Sequence, residues 1–245
     1  MRLVLVEALT FARRLARRRL VAVVIALDAA VVAWIALVSP VGSLRAAFAA
    51  AQGLGALTTL VLSSGCVADD RSAARLVLAA THPERRSAWV LGRWLTVAAA
   101  AACVTVGTVA VAAIGGPGLG RAGAFVLGAG AAALHVGVLA ALAVALSCGA
   151  GSTEQVLALL GLLLFGLVPP EVVGTVLAAP WLEPVTRAAW SLLPTPWALD
   201  RVQAWAAGAE GAHPVLALAL LTQTPLWLAA GARAVARAEL GARGL

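Results

Sequence analysis

The chain contains no lysine and no tyrosine, only one methionine, and charge on just 12% of its 245 residues. Each shortage excludes something. A phosphate-cradling P-loop sets a lysine beside the β- and γ-phosphates, and all 18 basic residues here are arginine. If ATP drives this protein, another polypeptide must bind it. Three cysteines (Cys66, Cys103 and Cys148) are an odd number at spacings that match no zinc pattern. They read as small apolar residues, and no metal site is expected. The scarcity of charge accompanies 62% hydrophobic residues and a mean hydropathy of +0.97. A soluble domain of this size needs far more polar surface, so the expected solvent is the bilayer.

What is present fits that solvent. A membrane-crossing helix needs roughly 20 apolar residues, and the pattern predicts an all-α polytopic protein, one transmembrane domain over residues 1–245. Six spans are expected, near 20–38, 46–66, 88–114, 123–147, 155–178 and 214–234. Ser39-Pro40 and the Gly115-Gly116-Pro117-Gly118 run mark turns. Ser152 or Thr153 is placed to cap the helix that begins near Glu154. The apolar run from Leu20 to Val38 is too long for a typical signal peptide and reads as a retained first span. Plentiful alanine and glycine permit close helix–helix approach in lipid.

Residues 2–19 are amphipathic. Val4, Leu5, Ala8, Leu9, Phe11, Ala12, Leu15 and Ala16 recur at helical spacing, against Glu7, Thr10, Arg13, Arg14, Arg17 and Arg18. An interfacial helix with its arginines on anionic lipid is expected, a solvated basic leader being the alternative. The arginines also give orientation. With the N-terminus inside, the inner side holds Arg2, Arg13, Arg14, Arg17, Arg18, Arg19, Arg71, Arg75, Arg85, Arg86, Arg93, Arg233, Arg237 and Arg243. The outer side holds only Arg45, Arg121, Arg187 and Arg201. That imbalance predicts both termini inside, in the cytoplasmic membrane. It also accounts for the net charge of +7 without nucleic acid as a partner.

The stretch DDRSAARLVLAATHPERRSAWVLGR, residues 69–93, is then cytoplasmic. Its composition predicts a helix over 68–80, ended by Pro83, with Asp69 and Asp70 at the N-terminus and Arg75 a turn later. An ordinary charged loop is the plainer alternative. The stretch resembles the loop of permease subunits of type-2 ATP-binding-cassette exporters. Asp70-Arg71 matches the family's acidic–Arg pair, Leu76 to Leu78 its apolar turn, Pro83 its proline and Arg86 its arginine. Leu91-Gly92-Arg93 matches its entry to the third span, while Ala74 and Arg75 stand where Gly-Thr is usual.

The resemblance implies a coupling helix that docks on a separate ATPase subunit, through Asp70, Arg71, Arg75, Leu76, Leu78, Pro83 and Arg86. It further implies two ATPase copies carrying ATP and magnesium, a second permease copy or related permease, and no cofactor on this chain. Short re-entrant helices over 180–208 would close the outer mouth. There Pro194 and Pro196 precede a helix on which Trp197, Arg201 and Trp205 share a face. A plain aromatic belt at the membrane surface is the other reading.

Three polar residues inside expected spans are candidates for the pathway. Asp28, in the first span, needs a partner, since an isolated charge there costs about 2.5–3.5 kcal/mol. Arg93 is the geometric candidate. His135, midway along span four, either lines the pathway or bonds a neighbouring helix. Glu171 follows Pro169-Pro170, which should break span five towards its outer end. The expected cargo is lipophilic: a drug, antibiotic, lipid or hydrophobic peptide.

An ATP-independent carrier would show an internal repeat, which the halves lack. A six-span protease would need a Gly-x-Ser-Gly, which does not occur. The orientation is directly testable once the three native cysteines are replaced. Arg75→Cys should react with a membrane-impermeant maleimide only after cells are opened, and Ala188→Cys should react in intact cells.

Overall fold

The structure, a computed structural model, describes residues 1–17, 19–38, 44–64, 66–67, 83–115, 122–206 and 214–242. Among these residues it is all-helical, with no strand. The helices are α1 (Arg2–Ala16), α2 (Arg19–Val38), α3 (Leu44–Ser63), α4 (Pro83–Gly115), α5 (Ala122–Gly149), α6 (Ser152–Phe165), α7 (Pro170–Val176), α8 (Leu182–Leu192), α9 (Pro196–Ala206) and α10 (Pro214–Ala242). Two stretches, Ser87–Val111 and Val126–Gly149, are long and apolar enough to cross a membrane. The α6–α7 pair brings the number to three if it counts as one span, bent by 86°. Val21–Val31 and Phe48–Ser63 are apolar but shorter.

Several boundaries differ from the sequence reading. The helix expected from position 88 begins at Pro83, a position that suits proline because the first helical N–H has no partner to lose. The last helix, expected to end near position 234, runs on to Ala242. Neither Ser152 nor Thr153 caps α6. Gly151 stands at the cap, and its N–H donates to Glu154 Oε2 at 3.0 Å. The expected helix over 68–80, with Asp70, Arg71, Arg75, Leu76 and Leu78, lies outside the described residues, as do Ser39-Pro40 and Gly116-Pro117-Gly118 of the expected turns.

α5 is the centre. It packs against α3, α4, α6, α9 and α10, and it does so with small side chains: Ala131, Ala132, Ala140, Ala141 and Ala143 are all buried. α4 runs opposite to α3, α5 and α10, which run in the same direction as one another. At one end Leu62 and Val67, at and after the end of α3, meet Trp89 and Val90 near the start of α4, Val144 and Cys148 near the end of α5, and Val235 of α10. Phe11 and Leu15 of α1 and Val21 of α2 complete that cluster, here termed the α1 end. At the far end Phe48 of α3 meets Val109 of α4 and Ala129 of α5.

Glycine makes the crossings close. A Cβ on Gly92 would lie 2.8 Å from Glu7 Cβ and 3.0 Å from the backbone nitrogen of Ala8, so α1 rests directly on the α4 backbone. Thr96 Oγ1 donates there to Ala8 O at 3.0 Å and to Gly92 O at 2.9 Å. On α5, the Phe48 ring occupies the space a side chain at Gly128 would need.

Polarity is distributed inside out. Thr58, Thr59, Thr105, Thr108, Ser63, Ser147 and Gln155 are buried, while Val23, Leu27, Val106, Leu127, Leu157, Leu164 and Phe165 are exposed. Buried hydroxyls satisfied by their own helix's carbonyls, as Thr59 is by Gly55 O at 2.8 Å, suit an apolar solvent. α1 divides its apolar side: Ala8, Phe11 and Leu15 face the bundle, whereas Leu3, Leu5, Val6 and Leu9 are exposed.

The Gly128 notch is testable. Gly128→Leu should expel the Phe48 ring and cost about 1–3 kcal/mol, as overpacking does, seen as a lower Tm in detergent. Adding Phe48→Ala should recover part of the loss.

Candidate functional site

The far end of the bundle is built from a broken helix. α6 stops at Phe165 because Pro169 and Pro170 offer no N–H to the carbonyls four residues earlier. Phe165 O is taken by Val168 N–H at 3.0 Å. Gly166 O, which Pro170 leaves empty, accepts from Trp197 N–H at 3.0 Å. Val168 O accepts from Trp190 Nε1 at 3.0 Å, since Val172 N–H bonds Pro169 O instead. The break is therefore sewn to α8 and α9 by two tryptophans. A Cβ on Gly166 would meet Pro196 Cδ and Thr195 Cβ at 2.9 Å each, so nothing larger fits at this joint.

α9 begins from Thr195, whose Oγ1 accepts from Ala198 N–H at 3.3 Å, with Pro196 as first helical residue. Its Leu199 and Val202 are buried against Ala131 and Val138 of α5. α8 has no buried residue. Glu171 of α7 ties these helices together: its Oε1 accepts from Arg187 Nη2 at 3.0 Å and lies 3.8 Å from Arg201 Nη2. Arg187 also donates to Glu183 at 2.7 Å, and the Arg201 guanidinium sits 5.5 Å from the Trp197 ring centroid. Arg187 and Glu171 are about half exposed, at 51% and 43%, so the pairing is weak in water. Arg201 and, through it, Trp197 are thus brought beside Glu171, while Pro196 lies at the Gly166 joint; Trp205 contributes backbone to α9.

His135 belongs to this end too. It is fully buried, and its Nε2 lies 3.0 Å from Pro194 O. A carbonyl only accepts, so Nε2 carries the hydrogen. The bond fixes the turn before α9 to the middle of α5.

The expected pairing of Asp28 with Arg93 is not formed. Asp28, 4% exposed, is hydrogen-bonded to Thr58 across the α2–α3 contact at 2.8 Å. The Arg93 guanidinium lies between two rings, 4.3 Å from the centroids of both Phe11 and Trp89. Each aromatic face attracts the delocalised cation. The arginine thereby locks α1 onto α4 beside the Gly92 notch. Asp28, His135 and Glu171 share no partner and form three separate features. The backbones of Pro83 and Arg86 belong to the first turn of α4. Among the described residues no group of three or more His, Cys, Asp or Glu side chains is placed to hold a metal.

Sequence reasoning passed over Gln155. It is wholly buried, and its Nε2 donates to Ser63 O and Ala143 O, both at 3.0 Å. The available signal was an amide at the start of the leucine-rich run QVLALLGLLLF. It also missed Trp94, whose Nε1 donates to Gly137 O at 2.9 Å.

Comparison with protein-family models and with characterised proteins returns no match. The class that the fold defines is an all-helical protein with, among the described residues, two or three stretches long and apolar enough to cross a membrane.

The two kinds of tie at the far end should differ in strength. His135→Phe leaves the Pro194 carbonyl without its donor and should cost about 1–3 kcal/mol. Glu171→Gln, at the exposed pair, should cost at most about 1 kcal/mol. Thermal unfolding in detergent measures both.

Proposed function

We propose that this chain is the permease subunit of an ATP-driven exporter of the type-2 ATP-binding-cassette class. It has six spans with both termini inside the cytoplasmic membrane. The two stretches that pass alone as membrane-crossing lie in α4 and α5; α2, α3, the bent α6–α7 pair and α10 make up the other four. The α1 end is the cytoplasmic face and the far end the outer mouth. One observation carries the reading. The charged stretch that resembles the family's coupling segment has both flanks packed at the α1 end, Leu62 and Val67 on one side and Trp89 and Val90 on the other.

The motor is a separate ATPase in two copies, which holds ATP and magnesium. Its closure pushes on residues 68–80, and the push reaches the bundle through α3 and α4. Two copies of this chain, or one with a related permease, form the route between them. α7, α8 and α9, with Pro194, Pro196, Trp197, Arg201 and Trp205, close its outer mouth. The cargo is lipophilic and enters from the inner leaflet or cytoplasm.

The broken span α6–α7 is the one feature that favours the second reading, an ATP-independent carrier, since carriers build their sites from discontinuous helices. Purification separates the two. A Walker-A ATPase should co-purify with the chain, and its hydrolysis rate should change with Arg71→Ala, Leu76→Ala or Pro83→Ala. A chain that purifies alone and transports under an ion gradient would leave the exporter reading without support.

A further inference from the structure

We propose that Gln155 is the positioning residue through which movement of the inner end of α3 reaches the outer helices, with α6 as the connecting strut. The inference rests on the exporter reading and adds to it the route of transmission. Ser63 is the last residue of α3, and from there the chain runs on towards the charged stretch beginning at Asp69. The Ser63 carbonyl accepts twice, from Cys66 N–H at 3.0 Å and from Gln155 Nε2 at 3.0 Å. The second amide hydrogen of Gln155 goes to Ala143 O on α5, also at 3.0 Å. Cys66 Sγ lies 3.1 Å from Ser147 Oγ and brings the same turn against α5. The end of α3, the last turns of α5 and the start of α6 thus meet at one buried amide.

The opposite end of α6 has a joint of the same kind, where Gly166 O and Val168 O are held by Trp197 and Trp190. Between the joints the contacts are apolar. Leu159 packs with Ala56, Leu139 and Leu142, and the outward side shows Leu157, Leu160 and Leu164. Apolar sides slide with little directional preference, whereas hydrogen-bonded ends fix position. A helix held at both ends by hydrogen bonds and along its sides by leucines moves as a rod. A shift of Ser63 then carries Gln155, α6 and the α7–α9 assembly with it.

The chemistry of the joint defines the test. Gln155 acts as a double donor. Gln155→Met keeps the length and loses both hydrogens, and Gln155→Glu keeps the shape while setting an acceptor against two carbonyls. The full chain with its co-purified ATPase is placed in lipid vesicles, native cysteines replaced, with Ala188→Cys on α8 as reporter. In this parent, ATP should change the rate at which a soluble maleimide labels position 188. With Gln155→Met or Gln155→Glu, the ratio of rates with and without ATP should fall to unity while ATP hydrolysis continues. Leu159→Ala, which loosens α6 without touching either joint, should lower the Tm and leave the ratio at its parent value.

If either Gln155 variant folds, binds the ATPase and keeps the parent's ratio, the amide transmits nothing and the proposal is overturned. Loss of the ratio in Leu159→Ala as well would equally overturn it, since general loosening would then explain the effect. Should the Met variant not fold, the Glu variant carries the same comparison. A parent with no bound ATPase, or with labelling indifferent to ATP, overturns the exporter reading itself before Gln155 is touched.

Discussion

The closeness of helices around α5 is the constraint on which the rest of the structure depends. Lipid tails give helices no hydrophobic reason to associate, so packing and hydrogen bonds must hold them. α5 meets this need with alanine along its buried faces and glycine where a neighbour's ring must enter. The same closeness lets α1 lie against the backbone of α4 and lets the Arg93 guanidinium reach both Phe11 and Trp89. Outside the bundle leucine and valine are also exposed, as at Val23, Leu27, Val106, Leu127, Leu157 and Leu164.

Satisfaction of the backbone explains the far end. Two adjacent prolines remove two N–H groups from a helix, and the carbonyls so exposed cannot be left bare in an apolar setting. Trp197 takes the one that Pro170 leaves empty, and Trp190 takes Val168 O, whose helical donor, Val172 N–H, bonds Pro169 O instead. These tryptophans therefore do more than mark a membrane surface, because they tie the bend to α8 and α9. Glu171, Arg187 and Arg201 add a polar fringe that water weakens.

The elements most legible in the sequence are those set by local chemistry. The apolar runs locate α2, α3, α4 and α5 to within a few residues, and Pro169-Pro170 locates the break. Pro194 and Pro196 announce the short helix after them. What the sequence hides depends on neighbours. An arginine near an aspartate in a membrane segment invites a charge pair, yet Arg93 sits between Phe11 and Trp89, and only the approach of α1 makes that so. Gly92 is one glycine among 24 until α1 is placed on it. Gln155 shows as a polar residue in an apolar run, but its partners, Ser63 and Ala143, lie 92 and 12 residues away. Ser152 and Thr153 look like caps because hydroxyls commonly are; Glu154, reaching back to Gly151, takes the role instead.

The early stop of α6 has a consequence for the lipid around it. Its 14 residues rise about 21 Å at 1.5 Å per residue, short of a hydrocarbon layer about 30 Å thick. In a bilayer the missing depth must be filled by the folded-back helices and the water that reaches their charged fringe, or else the leaflet must thin beside them. The far end would then form a shallow basin sunk below the headgroups.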